Sequence, residues 1–326
     1  MGSTDRGAVT AVVGSGTSLP RIVELDPASG SFTELRPAED LGVDEAWFSQ
    51  AENFDFVSAD GRQSHAFYYP PASKPDQDSE PTGLAPLVVI GHGGPTSHST
   101  PELSLKVQYW TSRGIAVVDV NYGGSSGYGR DYRRLLNDSW GIVDVEDCVA
   151  VAEQLAASGR VDAKRMAIRG GSAGGFTVLR ALEVSDVFSA GTSLYGVADL
   201  GALASDTHKF EARYLDGLIG PYPEAKDVYD QRSPINHTEE LSCPLLVMQG
   251  SEDEVVPPAQ SEAIVAAVAA KGLPHAYLLF DGEQHGFRQA VTIVRSLEAE
   301  LWFYGQVFAF TPADSIAPVV EAVGFD

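Results

Sequence analysis

The chain has 326 residues, 44% of them hydrophobic and 21% charged, a balance that buries a core and excludes a disordered protein. A formal net charge of −23 repels nucleic-acid phosphates and anionic lipid surfaces at long range, so neither is expected as a partner. No apolar run approaches the roughly 20 residues that cross a bilayer, and no charged start followed by an apolar stretch reads as a secretory leader.

Residues 1–45 contain three stretches suited to strands, Ala8–Val13, Arg21–Leu25 and Ser31–Leu35, divided by turn-forming Gly14–Gly16 and Pro27–Gly30. They predict a small antiparallel sheet, marginal alone and with exposed edges, that needs something to pack on. Residues 46–86 read as a second hairpin, Phe54–Ser58 and His65–Tyr69 around Asp60-Gly61, followed by a polar, proline-rich connection over Pro70–Pro86.

Over residues 87–310 apolar strands alternate with helical spacing, the pattern of an α/β fold with a mostly parallel sheet covered by helices on both faces. The expected strands are Leu87–Ile90, Ile115–Val120, Arg165–Arg169, Ala190–Leu194, Leu245–Gln249 and Ala276–Phe280. The expected helices are Asp144–Ala157, Gly175–Glu183, Ala259–Lys271 and Val291–Phe308, with Gly159 and Gly272 as C-terminal stops. A tail over 311–326 closes the chain. The two cysteines, Cys148 in a helix and Cys243 before a strand, lie at no metal-ligand spacing. They read as free packing thiols in a reducing, cytoplasmic compartment, and no metal or other cofactor is expected.

Met166–Arg169 runs directly into Gly170-Gly171-Ser172-Ala173-Gly174 and then into an amphipathic helix. A GxSxG string alone is a modest signal, since many glycine turns contain serine. On a sharp strand-to-helix turn, however, the flanking glycines relieve crowding and expose the hydroxyl at the positive end of a helix, which makes Ser172 a nucleophile on an α/β-hydrolase fold. In that fold the acid and then the histidine follow the serine in the chain. His285 is the one later histidine that follows a strand, in Asp281-Gly282-Glu283-Gln284-His285, and it is assigned as the base. The strand before that one ends in Gly250-Ser251-Glu252-Asp253-Glu254, from which Asp253 is assigned as the acid. Asp119, also at a strand end but ahead of the serine, is expected to order a loop. The oxyanion formed during attack needs two amide donors. Ala173, next to the nucleophile, and Gly94, in the loop after Leu87–Ile90, are assigned to it.

These motifs, with Asn121-Tyr122-Gly123-Gly124-Ser125, Trp140-Gly141 and Val256-Pro257, together resemble the prolyl oligopeptidase family of serine peptidases across residues 46–308. His92-Gly93-Gly94-Pro95 is similar to the acylaminoacyl peptidase branch, near the dipeptidyl peptidases, where a glycine amide supplies the second donor. The resemblance implies a peptidase that hydrolyses short peptides through an acyl-enzyme, with a carboxylesterase or lactonase on the same fold as one alternative and a non-catalytic binding module as another. It implies that Val197 and Val256 line an apolar pocket for the residue before the scissile bond, with Tyr195 nearby; core packing is the competing reading of all three. It also implies that residues 1–45 are the last strands of an N-terminal β-propeller, so that the chain is either a piece of a longer protein or a short relative. Short peptides are the expected partners, and exposed apolar surface left by a missing propeller would favour a homo-oligomer.

Overall fold

The structure is a computed structural model, and it describes residues 2–3, 7–72, 83–206 and 213–325. Residues 73–82 of the proline-rich connection therefore lie outside the described residues. Two sheets are present among the described residues. The first runs β1 (Gly2–Ser3), β2 (Val9–Val13), β3 (Arg21–Leu25) and β4 (Phe32–Arg36), antiparallel in chain order. Between β3 and β4, Asp26 builds the turn by accepting from the Ala28 amide at 2.9 Å, and Gly30 takes the positive φ that the reversal requires. All of β4 is exposed.

The second sheet begins with the hairpin β5 (Glu52–Val57) and β6 (Gln63–Tyr69), which turns on Asp60 and Gly61, both at positive φ. The chain continues through β7 (Leu87–Gly91), α1 (Leu105–Thr111), β8 (Ala116–Asn121), α2 (Arg130–Arg133), α3 (Val143–Ala157) and β9 (Met166–Gly171). It then runs through α4 (Ala173–Val184), β10 (Ala190–Leu194), α5 (Leu200–Asp206), α6 (Lys226–Arg232) and β11 (Leu245–Gly250), and ends with α7 (Pro258–Ala270), β12 (His275–Phe280) and α8 (Ala290–Phe308). The strand order is β12-β11-β10-β9-β7-β8-β6-β5. The six strands from β12 to β8 are parallel, and the hairpin is added antiparallel at the β8 edge.

Successive residues of a strand point to opposite faces, and here both faces are covered. On β7, Leu87 and Val89 join the core under α3, α4 and α7, while Val88 joins the core under α1 and α8. On β8, Ala116, Val118 and Val120 face the first core and Val117 the second. Gly159 and Gly272 end α3 and α7 at positive φ, as their sequence positions require.

This order determines where chemistry can sit. The loop leaving β7 turns toward β8, whereas the one leaving β9 turns toward β10, so a crevice opens at the carboxyl ends of these two adjacent strands.

Candidate active site

The β9–α4 turn fills that crevice. Ser172 occupies it at φ 58 and ψ −122, a conformation costly for a side-chain-bearing residue. Glycine is obligatory on either side. A Cβ on Gly170 would lie 2.4 Å from the Gly174 backbone, and one on Gly174 would lie 2.2 Å from the Gly91 carbonyl oxygen. The turn is thus pressed against the end of β7, and the Ser172 amide is tied to the Leu194 carbonyl of β10 at 2.9 Å.

His285 stands in the loop after β12, with Nε2 2.8 Å from Ser172 Oγ and Nδ1 2.9 Å from Asp253 Oδ2. The loop is held from beneath by buried Glu283, which accepts from the Arg288 and Gln289 amides at 2.9 Å each. Asp253 leaves β11 and is buried, whereas Glu252 and Glu254 are exposed. Its Oδ1 accepts from the Val255 and Val256 amides at 2.9 Å each. Burial raises the Asp253 carboxyl, but the His285 hydrogen bond and the two amides outweigh it and hold the group below the usual carboxylate range.

Sequence reasoning missed Gln249. It donates to Asp253 Oδ2 at 3.1 Å and is itself fixed by Ser261 Oγ at 2.8 Å. A polar residue closing the apolar run of β11 was the available signal.

Ala173 is the first residue of α4, which places its amide at that helix's positive end. On the facing loop, Gly93 and Gly94 follow His92. A Cβ on Gly93 would lie 3.0 Å from the Gly171 carbonyl oxygen, and Gly94 has φ +122. His92 shapes this loop through Nε2 to Ser125 Oγ at 2.7 Å and Nδ1 to the Gly93 carbonyl at 2.8 Å, while the Tyr122 hydroxyl donates to the His92 and Pro95 carbonyls. Burial pushes the His92 imidazole down to about 4, which keeps it neutral.

Two cavities flank the serine and histidine. The smaller, about 300 Å³, is lined by Gly94, Trp140, Ala173, Val197, Leu215 and Val256. The larger, about 580 Å³, takes its wall from α1, β8, β9 and α8. Val197 and Val256 therefore come together, but Tyr195 lines the larger cavity, with its ring edge-on to His285 at 5.1 Å between centroids. Asp119 accepts from Ser99 Oγ at 2.5 Å and so fixes the loop after β7, and it too lines the larger cavity. Among the described residues no cluster of His, Cys, Asp or Glu could hold a metal ion, and no helix is long and apolar enough to cross a membrane.

Residues 101–311 match the sequence model of the prolyl oligopeptidase family. Dipeptidyl aminopeptidase BIII of Pseudoxanthomonas mexicana is 32% identical over 67% of this chain and 32% of its own length. A puromycin hydrolase, solved also as a mutant complexed with PGG, superposes with a TM-score of 0.92 at 46% identity over 97% of this chain and 48% of that one. A puromycin-hydrolyzing peptidase of Mycobacterium tuberculosis superposes with a TM-score of 0.92 at 45% identity over the same shares. The chain thus spans about a third of the curated relative and about half of the solved structures it matches.

Proposed function

This chain belongs to the prolyl oligopeptidase family, and on that premise we propose that it is a serine peptidase hydrolysing short peptides, with Ser172 as nucleophile, His285 as general base and Asp253 as acid. The observation that carries the reading is one imidazole bonded on one side to a strained, helix-capping serine and on the other to a carboxylate held ionised. In the first half-reaction Ser172 Oγ attacks the carbonyl carbon while His285 Nε2 takes its proton. The amides of Ala173 and Gly94 receive the developing negative oxygen. His285 then protonates the leaving nitrogen, the C–N bond breaks and an acyl-enzyme remains. In the second half-reaction water loses a proton to His285, attacks the acyl carbon and releases the acid, restoring the serine. Asp253 keeps Nδ1 protonated and stabilises the imidazolium, and Gln249 steadies Asp253.

In this reading the apolar cavity of Val197 and Val256 takes the side chain before the scissile bond, and Tyr195 braces the edge of His285. The strain and positive φ at Ser172 favour catalysis over a mere turn, because a structural turn would place glycine there. The antiparallel order of β1 to β4 supports reading residues 1–45 as the end of a propeller. The free Cys148 and Cys243 support a cytoplasmic setting.

A fluorophosphonate probe tests the nucleophile, and a panel of short peptides, puromycin and simple esters tests the chemistry. Labelling of Ser172 with cleavage of peptide or aminoacyl amides is expected. Labelling with ester cleavage alone would turn the reading to an esterase, and no labelling of folded protein would turn it to a binding module.

A further inference from the structure

The larger cavity carries charge. Lys106, in the first turn of α1, lines it at an exposed position, and Arg169 lines it from β9 just before the nucleophile. Arg169 donates through Nε to Glu300 Oε1 at 2.8 Å, and Glu300 is held in turn by the Tyr304 hydroxyl at 3.0 Å. Apart from the Arg169–Glu300 pair through Nε, neither the terminal guanidinium nitrogens of Arg169 nor Lys106 Nζ has a hydrogen-bond partner among the described residues. The surrounding wall, and then the Arg169 charge, lower the Lys106 ammonium below the usual lysine range, so each cation makes the other costlier. An anion bound between them would relieve that cost. Glu300 and Asp119 both offset Arg169, and Glu300 also offsets Lys106, so the cavity has little net charge. What it offers a ligand is unfilled N–H donors.

We propose that this cavity receives the leaving group and that Lys106 and Arg169 bind its free α-carboxylate, which makes the substrate class short peptides cut close to their C-terminus. The proposal rests on the hydrolytic reading above. The leaving nitrogen must take its proton from His285, which lines both cavities, but its loop neighbours Gly286 and Phe287 line only this one, whereas Ala173, the oxyanion donor, lines only the apolar one. A volume of about 580 Å³ falls in the range that encloses a drug-sized ligand, which leaves room for a leaving group of a residue or two. A guanidinium matches a carboxylate in two parallel bonds, and the second Asp119 oxygen can accept from the N–H of a leaving dipeptide.

The test compares kcat/KM for pairs of short peptides that differ only in a C-terminal acid or amide. The protein is expected to favour the acid by about tenfold, expressed in KM. Lys106→Gln should bring the ratio close to one. Arg169→Lys, which preserves a charge for Glu300 but loses the fork, should also lower it. Inhibition of the unaltered protein by free product dipeptide, against the same dipeptide as its amide, needs no variant and should follow the same order. A ratio near one or in favour of the amide in the unaltered protein, a ratio untouched by Lys106→Gln, or equal inhibition by the two products would overturn the proposal. Absence of any hydrolysis would instead strike the assignment of Ser172, His285 and Asp253.

Discussion

Ser172, Asp253 and His285 come from the ends of three strands, yet they meet through bonds of 2.8 and 2.9 Å around one ring. Residues that act as a unit are lost as a unit. Ser172→Ala and His285→Ala should each cut kcat/KM by about 10³-fold or more, and the double variant should be little worse than either. Losses that multiply would show that the two side chains act separately. Asp253→Asn should leave the fold intact, since its Oδ1 can go on accepting from the Val255 and Val256 amides and Gln249, which loses its bond to Oδ2, keeps the Val256 carbonyl, while an amide nitrogen toward His285 Nδ1 imposes the wrong tautomer. A drop in kcat on the order of 10⁴-fold at neutral pH is expected, and an unaffected rate would move the acid elsewhere. The positions of the three were legible because chain order and strand ends identify them. Gln249 and Lys106 were not, and His92 was legible only as part of its motif, because the role of each comes through a neighbour elsewhere in the chain: Ser261, Arg169 and Ser125.

Elements that are buried on both faces write themselves into the sequence as continuous apolar runs, which is why all six parallel strands were found to within two residues of their ends. Short helices do not. With seven residues in α1, α5 and α6 and four in α2, none completes enough turns to show a period, and tertiary packing stabilises them instead. The site depends on one of these, since α1 supplies Lys106, so the larger cavity could not be read from periodicity at all. The junction of β7, β9 and α4 shows the opposite case, in which sequence and packing agree. Gly174→Ala would drive a methyl against the Gly91 carbonyl at 2.2 Å, against backbone that cannot swing aside. It should cost about 3 kcal/mol of stability and abolish fluorophosphonate labelling, because α4 cannot shift without moving Ser172. A variant with unchanged melting temperature and full labelling would mean that the elbow is looser than its spacing requires.

At the scale of the molecule, 45 acidic residues face 22 basic ones, and most of that charge is solvated. Asp119 is solvated only in part: half-buried on the cavity wall with one hydroxyl donor, Ser99, it has its carboxyl pushed by burial from 3.8 up to about 6. A carboxyl with a raised folded-state pKa holds its proton more tightly in the folded chain than in the unfolded one. Its contribution is therefore fully present below the unfolded value and is lost as pH rises through about 6. Asp144 is shifted the same way, also to about 6, so these two carboxyls remove stability between roughly pH 4 and pH 6, while buried His92, held down to about 4, adds it as pH rises over the same window. Growing self-repulsion acts in the same direction as the carboxyls, which makes the wild-type profile alone ambiguous. Asp119→Asn separates the two causes, because it removes one titration and leaves the rest of the acidic surface unchanged. Allowing for water in the cavity, the variant should match the parent near pH 4 and exceed it by about 1–2 kcal/mol at pH 7. Denaturant melts at both pH values measure this. A gain of equal size at both would trace the effect to packing, and no gain at pH 7 would mean that Asp119 is ionised in the folded protein at little cost.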